Sequence, residues 1–398
     1  MFIFITFLIW RVGLFSLAAL GSNLLPFAPR FPYADMLLIP SGLPSWFWSF
    51  ANFDGVHYLT IAKEGYSAQY TQVFFPFFPL VLRFFQNLIF FASPVFVGIT
   101  LSSLIFLASL YVLGKLMSLD YKKSEVKWII LFFVFFPTSF FFGSLYTEGI
   151  FLLFMLSAFY EARRKHFRLA AVLGTLASAT RLVGIFLILA LWWEEIIAKR
   201  EKMGPKGSKT IKLETKYTGY FEVIINYLNY IVHSPITYIL PIGLLAYMIF
   251  LQWQYGDFLY FWHAQPVFGA QRSGAGIILL PQVVWRYFKI FSNLSPLKEP
   301  FIIAFTEFVA TILSIVLLII AYLKKVRLSY LIFSCLTILV PTLTGTFSSM
   351  PRYILVAFPL FIVLGLIKNK WLKIVLLTIF IVLLSFYTIL FTRGHWVS

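Results

Sequence analysis

The sequence predicts an all-α polytopic membrane protein, a bundle of about 11 transmembrane helices with a large first non-cytoplasmic loop. Three observations carry that expectation. Apolar residues make up 61% of the chain and charged residues 12%, against about 45–50% and 25% in a soluble domain. Runs of about 16–23 apolar residues recur along the whole length, each able to cross a hydrocarbon core of roughly 30 Å. Of the 32 Lys and Arg, about 21 fall in five short clusters between those runs, at 115–127, 163–168, 199–216, 324–327 and 368–373. This is the positive-inside arrangement, so the net charge of +17 sets orientation and does not mark a nucleic-acid binder. A soluble helical protein is excluded, because too little polar surface remains to cover one. The single cysteine, Cys335, sits in an apolar run and allows no intramolecular disulfide.

Placing all five clusters in the cytoplasm orders the chain as one domain, residues 1–398. Residues 2–20 form a retained first span, with no basic region before it and no cleavage site after it. Residues 21–93 lie outside as short interfacial helices, their aromatic rings at headgroup level. Within them 77–91 is interrupted by Arg83, Gln86 and Asn87, which favours an interfacial or re-entrant helix over a span. Spans follow at 94–117, 126–142 and 146–163. Two short crossings then meet at Arg181 on the outside, or a single hairpin stops short of the far face, with Arg181 at or below the outer interface. Residues 194–216 read as a polar cytoplasmic loop, followed by a span at 234–252 and a second outer segment at 253–299. The latter carries Asp257, His263, Gln265, Gln271 and Arg272 among aromatics. Spans at 301–323, 328–345, 352–367 and 371–391 complete the bundle. There is no internal repeat of the kind that marks many transporters.

The chemistry-bearing residues collect in the expected outer segments. Asp54, in a stretch dense in Trp, Phe and Tyr, suits general-base work; it equally suits a helix N-cap. His57, three residues on, shares its helical face and can hold the carboxylate or a sugar hydroxyl. Lys63 reads as a phosphate contact or as half of a solvated pair with Glu64. Glu148 begins an apolar run, where an acid marks function or complements the helix dipole; Tyr146 and Thr147 beside it can bind sugar hydroxyls. Arg181 and Arg352 each cost about 2.5–3.5 kcal/mol inside hydrocarbon, so each needs a partner, a wet cavity or a route to headgroup phosphates. Arg352 follows Pro351 at a helix start, with Ser348 and Ser349 near, which suggests a backbone phosphate cradle. Scattered histidines and one cysteine offer no metal-ligand spacing. No cofactor is expected, and metal dependence is left open.

Six blocks in this order carry a resemblance: FDGVHYLTIAKEGY (53–66), FFPFFPLVLR (74–83), FPTSFFFGSLYTEGIFLL (136–153), TRLVG (180–184), YGDFLYFWHAQPVFG (255–269) and SSMPRYILVAFPLF (348–361). Together they resemble the PIG-V-like family, the GPI mannosyltransferase II group of the GT-C class of integral-membrane glycosyltransferases. The family's first block usually reads Trp-Asp, where this chain has Phe53 before Asp54. The resemblance implies a GT-C-type bundle and an inverting, nucleotide-free sugar transfer, usually of mannose. The donor would be a polyprenyl-phosphate sugar used on the non-cytoplasmic face, the cell membrane of a prokaryote or the endoplasmic reticulum of a eukaryote. It also makes Asp54 the base. The residues themselves mark His57, Lys63, Tyr146, Glu148, Arg181, His263, Gln265, Arg352 and Tyr353 as the expected substrate contacts.

The residues fit such chemistry. A lipid monophosphate is already a good leaving group, so cations to receive its charge matter more than a general acid. No Rossmann or P-loop signature is present, as suits a donor that is not a nucleotide sugar. The expected partners are the lipid-phosphate donor, a lipid or glycan acceptor, membrane lipids and a possible membrane subunit, with no nucleic acid. A flippase of lipid-linked sugars, or a non-catalytic subunit, is the competing class. It would need charges near mid-membrane or would tolerate loss of Asp54.

Overall fold

The computed structural model describes residues 1–28, 34–211, 231–268, 276–296 and 299–397, and among them the architecture is helical with no strand. In chain order the principal helices are α1 (Phe2–Leu24), α2 (Asp54–Glu64), α3 (Phe77–Leu88), α4 (Pro94–Met117), α5 (Lys123–Val134), α6 (Glu148–Arg163) and α7 (Phe167–Thr180). Then come α8 (Leu187–Ile211), α9 (Pro235–Tyr255), α10 (Leu280–Asn293), α11 (Glu299–Leu323), α12 (Leu328–Thr342) and α13 (Lys370–Thr392). Helix is what an apolar chain must form in lipid, since each peptide group then finds its partner within the segment.

Helix length alone does not reproduce the expected count of about 11 spans. Among the described residues five helices, α1, α4, α9, α11 and α13, are long and apolar enough to cross a membrane. Helices α7 and α12 are apolar but shorter. The expected span 146–163 is the unbroken 16-residue helix α6, but two others are interrupted, and proline is the visible cause. The run 126–142 leaves helix after Val134, ahead of Pro137, and resumes as the 3-10 turn Ser139–Gly143. The run 352–367 is divided into Met350–Tyr353, Ile354–Val356 and Pro359–Gly365. Helix α3 has 12 residues, about 18 Å, too short to cross. It buries Phe78 and Leu82 and exposes Leu80, Phe84 and Leu88. The polar stretch expected as a loop from Glu194 is instead helical to Ile211; its remainder, 212–216, lies outside the described residues, as do Gln271 and Arg272.

Packing is aromatic at the centre. Phe106 stacks on Phe142 at 4.5 Å, Phe133 on Phe142 at 5.2 Å, and Trp10 tilts against Phe106 at 4.8 Å. The Trp10 indole donates to Ser139 Oγ at 3.0 Å, giving its one polar atom a buried partner. One turn of this core is unusual. Arg11, on α1, is buried, with its guanidinium 4.1 Å from the centroid of Phe15 and 4.8 Å from that of Phe50. Its two Nη atoms have no hydrogen-bond partner among the described residues. Room for them exists because Gly143 has no side chain: a Cβ there would lie 2.5 Å from Arg11 Nη1.

Helix α6 joins two charged clusters. At its end Arg163 forks onto Asp120, at 2.5 and 2.7 Å, and reaches the Tyr330 hydroxyl at 2.7 Å. Nearby Arg327 forks onto Glu194, at 2.5 and 2.7 Å. At its start, roughly 22 Å away by helical rise, lies Glu148, in the site described below. Helices α7 and α9 press together through Gly243, where a Cβ would run into the Thr175 carbonyl oxygen. Close backbone approach at small residues is how membrane helices pack. Gly243→Ala is therefore expected to cost about 1–3 kcal/mol, read as a lowered melting temperature in detergent; an unchanged melt would mean that this contact is looser than described.

Candidate active site

Asp54 is presented by a strained turn. The short helices Ser45–Trp48 and Ser49–Ala51 lead into Asn52, whose side chain donates to the Phe391 carbonyl at 3.0 Å. Phe53 follows at φ 59°, ψ −117°, a backbone region that a non-glycine residue enters only when its surroundings hold it there. The hold is visible: Phe53 is buried, 5.5 Å from Phe391 and edge-on to Trp396 at 5.4 Å. Tyr146 secures the next peptide, its hydroxyl donating to the Asn52 carbonyl at 3.0 Å and accepting from the Asp54 amide at 3.3 Å. Gly55 permits this approach, because a Cβ there would meet the Leu145 carbonyl at 3.3 Å. Asp54 is the first residue of α2 rather than its cap; Phe53 occupies the cap position and no side-chain cap bond forms. The carboxylate is left to point elsewhere.

It points at Arg352. The Arg352 Nη1–Asp54 Oδ2 distance is 2.6 Å, and Arg352 Nε lies 3.2 Å from Glu148 Oε1. The same Glu148 oxygen accepts from Arg181 Nη1 at 2.6 Å. Two acids and two bases thus form one chain, Asp54–Arg352–Glu148–Arg181, with side chains 1–14% exposed. Rings flank the cations: Arg352 lies 5.7 Å from the centroids of Phe141 and Tyr146, and Arg181 lies 5.7 Å from Tyr353. Such contacts favour a desolvated guanidinium. Arg181 stands where α7 ends, in extended backbone ahead of the 3-10 turn Leu182–Phe186. Gly184 lets that turn fold back, since a Cβ would sit 2.6 Å from the Ala177 carbonyl.

Asp54, Arg181 and Arg352 all line a cavity of about 890 Å³. Its wall also holds Thr147, Thr180, Ser348, Ser349, Tyr353 and Gln265, with apolar lining from Phe74, Phe75, Phe186, Ile290, Leu294, Ile303 and Ala304. Polar and apolar walls of that size suit an amphiphilic ligand.

A family match covers much of this constellation. Residues 22–194 match the family described as mannosyltransferase (PIG-V). Asp54, Tyr146, Glu148 and Arg181 lie inside that PIG-V segment, and Arg352 lies beyond it. A relative, GPI mannosyltransferase 2 of Drosophila pseudoobscura pseudoobscura, is 31% identical over 159 residues, 36% of this chain and 34% of that protein. The match thus spans about a third of the length of that relative.

Other expected contacts fall at different distances from the cavity. His57 is buried behind its wall, stacked on Phe74 at 5.0 Å. His263 is half-exposed and bonded to Asp257 at 2.7 Å, on the short helix Tyr260–His263, which lends Phe261 and Trp262 to the wall. Lys63 is not brought to the site: it is 71% exposed and 3.5 Å from Glu64. The backbone cradle expected ahead of Arg352 is not open either. The helix there is only Met350–Tyr353, the Ser349 amide is given to Glu307 at 3.3 Å, and the Ser348 amide to Thr346 Oγ1 at 3.1 Å. Sequence reasoning missed Glu307, Tyr287, Arg286 and Trp396, all in the cavity wall. Glu307 carried a signal, an acid within an apolar helix; the other three carried none. Among the described residues no group of three or more His, Cys, Asp or Glu side chains is placed to hold a metal.

Two expectations follow. Glu148→Gln removes the charge shared by two buried cations and should cost about 3–5 kcal/mol, seen as a lower melting temperature; a wild-type melt would mean the chain of charges is not what holds these loops. Burial lowers the His57 pKa from its ordinary value of 6.5, and the Asp54 carboxylate opposes that shift. The unfolded chain then takes up a proton that the folded one refuses, so stability falls as pH drops below about 6.5. Melting temperatures between pH 7.5 and 5.5 should decline more steeply for wild type than for His57→Asn.

Proposed function

We propose that the protein is an inverting membrane glycosyltransferase that moves mannose from a polyprenyl-phosphate donor to a hydroxyl of a lipid or glycan acceptor, on the non-cytoplasmic face. The observation that carries this reading is the convergence of Asp54, Arg352, Glu148 and Arg181 at one amphiphilic cavity, within and beside the PIG-V segment. The cavity's mixed wall supports a ligand with a sugar, a phosphate and a hydrocarbon tail. The charged lattice around Arg163 and Arg327, in the basic clusters, lies at the opposite end of α6 and supports the sidedness.

In this reading the acceptor oxygen attacks the anomeric carbon and gives its proton to Asp54. The carbon–oxygen bond to phosphate breaks, and its electron pair leaves on the phosphate oxygen. It is a single displacement, with the base and the leaving group on opposite faces of the sugar, as in inverting glycoside chemistry. Without substrate, Asp54 is tied to Arg352 at 2.6 Å, so one carboxylate oxygen is already engaged. A donor phosphate competes for the same guanidinium, so its arrival frees the carboxylate when the sugar is in place. Arg352 and Arg181 then face the departing charge. No observation here favours a flippase.

The test is transfer of radiolabelled mannose from a polyprenyl phosphate to a lipid extract. Asp54→Asn should lower turnover about 10²–10⁴-fold, lowering stability less than Glu148→Gln because Arg352 keeps its contact with Glu148, while binding donor at least as tightly as wild type, because the competing anion is gone. Arg352→Ala should weaken donor binding more than acceptor binding. Wild-type turnover in the Asp54 variant would remove the mechanism.

A further inference from the structure

Among the described residues three arginines line the cavity, and they differ in how their charge is balanced. Arg181 and Arg352 are answered by Glu148 and Asp54. Arg286 has no carboxylate within ion-pair distance; its Nη1 donates to the carbonyl oxygen of Gly345 at 2.7 Å, and the residue is largely exposed. A carbonyl orients a guanidinium without neutralising it, and four further N–H donors remain available. Glu307, the other carboxylate of the wall besides Asp54, is buried and accepts from the Tyr287 hydroxyl at 2.7 Å and from the Ser349 amide. With Glu148 counted, three arginines and three carboxylates face one another here, and Arg286 is the arginine that no carboxylate among the described residues contacts.

Its setting narrows the ligand. Arg286 sits on α10, which buries Val283 and Tyr287 and exposes Trp285 and Phe288 beside it. A helix with an exposed Trp and Phe on one face belongs at the membrane–water boundary, the depth of lipid phosphates. One turn further on the same helix Ile290 enters the cavity wall, followed by Leu294 and, from α11, Ile303 and Ala304. A fixed cation thus adjoins an apolar lining, an arrangement that accepts a phosphate carrying a hydrocarbon chain.

We propose that Arg286 is a second phosphate anchor of the cavity, distinct from the Asp54–Arg352 pair, and that it holds the phosphate of a lipid-linked substrate; this rests on the reading that the cavity takes lipid phosphates. The phosphate can come from the prenyl phosphate of the donor or from the headgroup of an acceptor lipid. Affinities of the full chain in detergent for farnesyl phosphate and for short-chain phosphatidylinositol separate the two sources. Arg286→Gln should weaken one of them about tenfold or more, with Arg286→Lys recovering part of the loss. Loss confined to farnesyl phosphate assigns the anchor to the donor side, and loss confined to phosphatidylinositol assigns it to the acceptor side. Should Arg286→Gln fail to fold, for want of the Gly345 contact, Arg286→Lys alone decides, with a smaller loss expected and unchanged affinity for both ligands counting against the anchor. If wild type binds a ligand and the variants bind it equally well, the anchor is wrong and the lipid-phosphate reading survives. If wild type binds neither ligand, both fall together.

Discussion

Four charges that cancel one another hold the wall of the cavity together. Asp54, Arg352, Glu148 and Arg181 come from segments as far apart as 298 positions in the chain, and none is affordable alone in so apolar a setting. Desolvating a carboxylate or a guanidinium costs several kcal/mol, which only a close, well-bonded partner offsets. The requirement reaches outward from the charges. It explains why Phe53 is held at a positive φ against Phe391 and Trp396, and why Tyr146 closes on the backbone before Asp54. On the other side of the Asp54–Arg352 pair, Ser349 also takes a positive φ, and its amide is fastened to Glu307 three residues before Arg352. Asp54 thus directly follows a non-glycine residue at positive φ, and Arg352 comes three residues after another. Backbone strain of this kind persists where the surroundings over-determine it.

Much of this was legible in the sequence, for a physical reason: charge in an apolar run is expensive, so it is conspicuous. Asp54, Glu148, Arg181 and Arg352 stand out on that ground. The long apolar helices were equally plain, because nothing but hydrophobic length is needed to read them. Helix continuity was less so. Hydropathy averages over Pro137 and Pro359, so the runs around them read as unbroken spans. The stretch after Glu194 failed in the opposite direction, since polar composition suggests a loop while the chain remains helical to Ile211.

Pairing was beyond reach. Nothing in the spacing says that Glu148 serves two arginines at once, or that Asp54 is bonded rather than capping its own helix. The three-dimensional partners lie 33 residues from Glu148 in one case and 298 from Asp54 in the other. Trp396 and Tyr287 were invisible for a different reason: aromatic residues make up 20% of the chain, so one more tryptophan or tyrosine carries no information until its neighbours are known.

Arg11 bears on biogenesis. Its shelter is built from Phe50 and from the gap at Gly143, more than 130 residues later in synthesis. Until residue 143 has been made and has docked, the first helix carries a guanidinium that nothing covers fully. That helix therefore cannot reach its final burial as it emerges, and must wait, with its charge drawn toward water or headgroups, for the segment that closes over it.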